Sequence, residues 1–134
     1  MTPVHPSDPR RDLGARGERM AAAHLERAGY EILARNWRCR TGELDLVVAD
    51  ACALVFCEVK TRVGASAAGT AGPATALEGI GPGKRRRLRA LARAWTASDG
   101  GGRRHPPSVR FDAIGVTVDR RGRLLELQHV PDAF

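Results

Sequence analysis

Apolar and polar positions recur with two different periods along this chain. From Pro9 to about Ala28 the residues Leu13, Gly17, Met20, Ala21, His24 and Ala28 fall at helical spacing. Asp8-Pro9 opens that stretch with a capping acid and a proline at the first helical position, and Gly29 closes it. The period then shortens. Tyr30 to Arg38 reads as a strand, Arg40-Thr41-Gly42 as a turn, and Glu43 to Ala49 as a second strand. Asp50-Ala51 reads as a tight turn and Cys52 to Thr61 as a third strand. Residues 63–83 lose all pattern and have the Gly, Ala, Ser, Thr and Pro content of a flexible loop. Helical spacing returns from Lys84 to about Ala97, with Leu88, Leu91, Ala92 and Trp95 on one face. A Gly/Arg/Pro connector at 99–107 leads to strands over Ser108 to Val118 and Leu124 to Val130, joined by a turn at Asp119 to Gly122. The expected order is α-βββ-α-ββ. It predicts an α/β domain over 9–134, with a mixed five-stranded sheet flanked by helices and a loose tail at 1–8.

Composition narrows the setting. The 134 residues are about one domain, and 43% apolar content is enough for one core. No apolar run nears the ~20 residues of a membrane span, and MTPVHPSDPRRD has no hydrophobic signal region. Cys39, Cys52 and Cys57 fit neither a disulfide framework nor a zinc site, so a reducing cytoplasm is expected and no membrane. The net charge of +7 points to a polyanionic partner, most simply nucleic acid. Twenty basic residues are Arg and only Lys60 and Lys84 are Lys, which draws attention to those two. Aromatics are 4%, which argues against a broad base-stacking platform.

The candidate chemistry lies on the second and third strands. Alternate strand residues share a face, so Leu54, Phe56, Glu58 and Lys60 lie on one and Ala53, Val55, Cys57 and Val59 on the other. Both faces are apolar up to Glu58, the mark of a central, doubly covered strand. Charges at the end of such a strand are costly unless paired or bound. With Asp50-Ala51 as the turn, Asp45 would pair with Phe56 and Glu43 with Glu58, placing Glu43, Asp45, Glu58 and Lys60 on one side. Acids so gathered repel one another unless a cation or protons intervene. Oxygen ligands without His or Cys favour Mg²⁺ or Mn²⁺. From ~7 Å along the same face, Lys60 could orient a water or stabilise a phosphate. The plainer alternative is a Glu58–Lys60 surface ion pair, which the upstream Asp45 and the apolar strand argue against.

These residues resemble a known signature. Asp45, Glu58, Val59 and Lys60 match the D…(D/E)xK pattern of the PD-(D/E)xK, restriction-endonuclease-like nucleases. Gly14-x-x-Gly17-Glu18, Gly29-Tyr30, Arg35-Asn36-Trp37-Arg38, Gly42-Glu43-Leu44-Asp45, Glu58-Val59-Lys60-Thr61-Arg62, Arg110-Phe111-Asp112 and Ala133-Phe134 extend the match over roughly 13–134. Together they resemble the YraN family of uncharacterised bacterial proteins, similar to Holliday-junction resolvases. The resemblance implies a nuclease core, a divalent metal and a DNA substrate. It makes Asp45 and Glu58 metal ligands, Lys60 the catalytic lysine and Glu18 an accessory acid, with Glu43 and Arg62 at the periphery. Leu44 stands where that superfamily often has Pro, at a position that ligates nothing.

Other motifs carry less. Gly79-Ile-Gly81-Pro-Gly83-Lys84 fails the P-loop spacing, so no nucleotide cofactor is expected. Lys84, Arg85, Arg86, Arg87 and Arg89 form a basic run suited to phosphate contacts. Asp112 shares a strand face with Ile114 and Val116 and reads as a buried hydrogen-bonded acid, and His24 as a packing residue. The expected function is Mg²⁺- or Mn²⁺-dependent phosphodiester hydrolysis on DNA, with branched or structured DNA implied by the resemblance. The alternative is a non-catalytic nucleic-acid-binding or adaptor protein on the same fold. A homodimer is left open.

Overall fold

The computed structural model describes residues 8–64, 81–98 and 106–134. Most of the expected tail at 1–8, of the expected loop at 63–83 and of the connector at 99–107 lies outside the described residues. The first helix, α1, spans Pro9–Arg27, and Asp8 Oδ1 accepts the Arg10 N–H at 3.0 Å as its cap. Three strands follow: β1 (Glu31–Cys39), β2 (Gly42–Ala49) and β3 (Ala53–Val63). Helix α2 spans Pro82–Ala97, and β4 (Ser108–Val118) and β5 (Leu124–Val130) complete the order α-βββ-α-ββ. The strands form one mixed sheet in the order β1-β2-β3-β4-β5, parallel only between β3 and β4.

The two faces of β3 are covered as its sequence predicts. Ala53, Val55, Cys57 and Val59 pack with Ala21, Ala22 and Leu25 of α1, together with Ile114, Val116 and Val118 of β4. Leu54 and Phe56 pack with Leu88, Leu91 and Trp95 of α2. The helices therefore lie on opposite faces of the sheet. Each fully buried large side chain contributes about 1.5–3 kcal/mol. Gly17 is required where α1 meets β3, because a Cβ there would run into the Thr61 side chain.

The β2–β3 turn corrects one expectation. Asp50 N–H bonds to Ala53 O at 3.0 Å, so the two loop residues are Ala51-Cys52 rather than Asp50-Ala51. Asp50 Oδ1 accepts the Cys52 and Ala53 N–H groups, each at 2.8 Å, and fixes the turn. Phe56 is therefore opposite Val47, not Asp45, and Glu43 pairs with Arg38 on β1 rather than with Glu58. The slip is two residues, which preserves the strand faces because side chains alternate with period two.

Candidate active site

The site forms where β2 leaves β3. Their pairing ends at Leu46↔Cys57, and the next residues along the two strands are Asp45 and Glu58. Asp45 Oδ2 accepts the Val59 N–H at 2.8 Å, so a side chain takes over where the ladder stops. Alternation along β2 also slips here. Leu46 and Val48 pack toward α1, whereas Leu44 and Val47 both pack toward α2. On β1, Arg35 pairs with Leu46 and Trp37 with Leu44, so the residues between them are Asn36 and Asp45. Asn36 has φ 50, in the left-handed region that Asn tolerates better than most residues.

Electrostatics mark the same place. Asp45 is 8% exposed, and burial followed by the charge of Glu58 pushes its carboxyl up to about 7, against the opposing Val59 N–H bond. Glu18 and Glu43 push in the same direction. The Glu18 carboxyl is also raised, first by burial, while a hydrogen bond with Asn36 favours its charged form and the charges of Glu43 and Glu58 oppose it. Glu58 is half-buried and ion-paired to Lys84 at 2.6 Å. Glu43 instead meets Arg38 at 3.1 Å on the exposed surface.

Asp45, Glu58 and Glu18 therefore share one electrostatic environment, with Glu43 at its edge. Lys60 follows Glu58 on the same β3 face and is exposed. Arg62 is exposed two residues further, its Nε donating to Thr117 Oγ1 at 3.5 Å. Arg85, Arg86, Arg87 and Arg89 are exposed on α2, whereas Lys84 turns to Glu58. The scarcity of lysine marks Lys84 in the sequence but does not show that contact, because β3 and α2 are far apart along the chain. Asn36 falls within a segment of the family resemblance, but no role is assigned to it there; the positive φ that singles it out has no signature beyond the residue type.

Whether a divalent cation suits these residues is decided by their donors. Among the described residues no three His, Cys, Asp or Glu side chains gather tightly enough to hold a metal by themselves. Two carboxylates in mutual repulsion, one buried beside the other's charge, nevertheless fit a hard cation that completes its shell with water or phosphate oxygens.

Asp112 lies elsewhere and is structural, as expected. It is fully buried and accepts from Arg110 Nε and Nη2 at 2.9 Å each, from His129 Nε2 at 2.7 Å and from Asp132 N at 2.9 Å. Burial alone would raise its carboxyl, but these bonds outweigh it and hold the group at about 2. The chain of contacts extends through Arg110 to Tyr30 Oη at 2.7 Å and through His129 to His24 at 3.2 Å. His24 thus joins α1 to β5.

The fold is an α/β, restriction-endonuclease-like architecture, with the acidic site at the splayed end of β2 and β3. The chain belongs to the uncharacterised protein family UPF0102, whose model matches residues 17–116. A UPF0102 protein of Kineococcus radiotolerans is 48% identical over 118 residues, covering 88% of this chain and 89% of the relative. One from Streptomyces griseus is 49% identical over 110 residues, covering 82% and 86%. One from Mycolicibacterium vanbaalenii is 43% identical over 124 residues, covering 92% and 94%. No helix among the described residues is long and apolar enough to cross a membrane.

Proposed function

We propose that this protein is a Mg²⁺- or Mn²⁺-dependent phosphodiester hydrolase acting on DNA in the cytoplasm, with branched or structured DNA as its substrate. The observation that carries the reading is the convergence of Asp45 and Glu58 at the β2–β3 splay, with Lys60 on the same strand face as Glu58. Asp45 and Glu58 would hold the cation, which when bound neutralises charge developing on the phosphate. Lys60, on its flexible and strongly hydrated stem, serves to orient the attacking water or to steady a phosphate oxygen. Glu18, held by Asn36, borders the site from α1 and can accept a hydrogen bond from that water. The start of α2 favours an anion. Beyond Lys84, which is paired with Glu58, its first turns carry Arg85, Arg86 and Arg87 and no acid in the first turn, so side-chain charge adds to the positive helix end.

The Lys84–Glu58 ion pair favours a second reading, a DNA-binding or adaptor protein without turnover, since Lys84 occupies a carboxylate that a cation needs. One experiment separates them. Labelled four-way junction, flap and linear DNA are incubated with Mg²⁺ or Mn²⁺ and with wild type or Lys60→Ala. Hydrolysis is read as released product on a denaturing gel. Cleavage by wild type that Lys60→Ala abolishes supports the enzyme. Binding without cleavage on all three substrates in both metals supports the adaptor.

A further inference from the structure

A second group of arginines lies away from α2. Arg10 and Arg16 of α1 and Arg120 and Arg121 of the β4–β5 turn line a cleft of about 440 Å³, floored by Leu13, Val63 and Val118. Two acids line it as well, Asp12 and Asp119. Asp119 is committed to the turn, since its Oδ1 accepts the Arg121 and Arg123 N–H groups at 2.8 and 2.9 Å. Four arginines against two acids leave the cleft positive. Its walls are latched: Arg16 Nη1 donates to Arg121 O at 3.3 Å across the α1–turn junction. Gly122, at φ 81, is what lets this guanidinium in, because a Cβ there would collide with it.

The position of the cleft relative to the site gives it meaning. Val63 is three residues beyond Lys60 on β3, about 10 Å along the strand and on the opposite face of the sheet. One DNA strand advances roughly 3.4 Å along the helix axis per phosphate, so that span corresponds to about three nucleotides. The cleft lies on the α1 side of the sheet and the α2 arginines lie on the other. Glu18 borders the acidic site from α1 and Lys84 from α2, so each of these elements reaches it.

We infer that the Arg10–Arg16–Arg120–Arg121 cleft binds the phosphodiester backbone of DNA a few nucleotides to one side of the site, so that the chain grips its substrate on both flanks. This rests on the DNA reading above but not on cleavage. The contacts are to phosphate and therefore independent of sequence.

The test measures binding in EDTA by fluorescence anisotropy, with duplex DNA at several salt concentrations, for wild type and for Arg10→Ala/Arg120→Ala/Arg121→Ala. All three side chains are exposed, and thermal melting checks that the fold is kept. Removing one phosphate contact lowers the slope of log K against log salt by roughly 0.9, so a decrease of up to about 2.7 is expected. Hydroxyl-radical footprinting should show protection shortened by about three nucleotides on one flank only. Charge reversal by Arg120→Glu alone should weaken binding further than Arg120→Ala. A wild-type slope and footprint in the folded triple variant overturns the inference, as does a wild type that binds no DNA. A flattened slope in a protein that cleaves nothing leaves the cleft standing and removes only the nuclease reading.

Discussion

Lys84 Nζ lies 2.6 Å from Glu58 Oε1, so the first helical turn of α2 neutralises an acid in the middle of β3, where β2 stops pairing with it. Lysine and a divalent cation are alternatives at that carboxylate. Lys84→Ala should therefore tighten Mn²⁺ binding, seen as a thermal shift that saturates at lower Mn²⁺ than in wild type. Without metal the variant should lose about 1 kcal/mol or less, because the pair is partly exposed. A Mn²⁺ titration identical to wild type would show that Glu58 does not take the cation.

Asp45 is buried beside a second carboxylate, and its carboxyl is raised in consequence. Asp45→Asn removes the repulsion and leaves an amide oxygen for the Val59 N–H. In EDTA at pH 8 the variant should melt at or above the wild-type temperature. In Mn²⁺ the order should invert, because only wild type gains stability from binding. Calorimetry in both buffers checks this. A variant that melts well below wild type without metal would mark Asp45 as a purely structural acid.

Asp112 gives the acid limb of stability. Its folded carboxyl is held at about 2, below the ordinary value of 3.8. A depressed acid stabilises the fold above its unfolded pKa and loses that contribution as pH falls through the folded one. The window is therefore about pH 4 down to 2, and the amount about 2 kcal/mol. Urea melts between pH 2 and 5 should show that decline in wild type and a flatter profile in Asp112→Asn. The variant should also lose about 3–5 kcal/mol at pH 7, since it strips Arg110 of its partner.

The element order is legible in the sequence because each element carries a clear period, and β4 and β5 end where that period predicts. The faces of β3 are equally legible, since strand parity is local. Register is not. Asp50 caps its own turn through two backbone N–H groups, an interaction that moves the loop by one residue and the pairing by two. Even so, Asp45 remains beside Glu58, because a two-residue slip does not exchange faces. The departures that shape the site are the left-handed Asn36 and the broken alternation that sends Leu46 toward one helix and Leu44 and Val47 toward the other. No local period encodes them.

The exposed face of α2 supplies the last prediction. Arg85, Arg86 and Arg87 are exposed and follow one another at the helix start, while Leu88, Leu91 and Trp95 hold the opposite face in the core. Replacing the three arginines with Ala raises helix propensity and leaves the buried face intact, so the fold should persist. DNA affinity in EDTA should fall equally for all sequences, and the salt slope should flatten by up to roughly 3 units. Glu58→Gln should act in the opposite sense. It removes a negative charge from the site, so metal-free affinity should hold or rise while any metal-dependent cleavage falls. Anisotropy titrations of both variants over a range of salt decide the matter. Wild-type affinity and slope in the triple variant would show that these arginines form only a solvated face, and the search for the backbone contact would then move to the α1 and β4–β5 arginines.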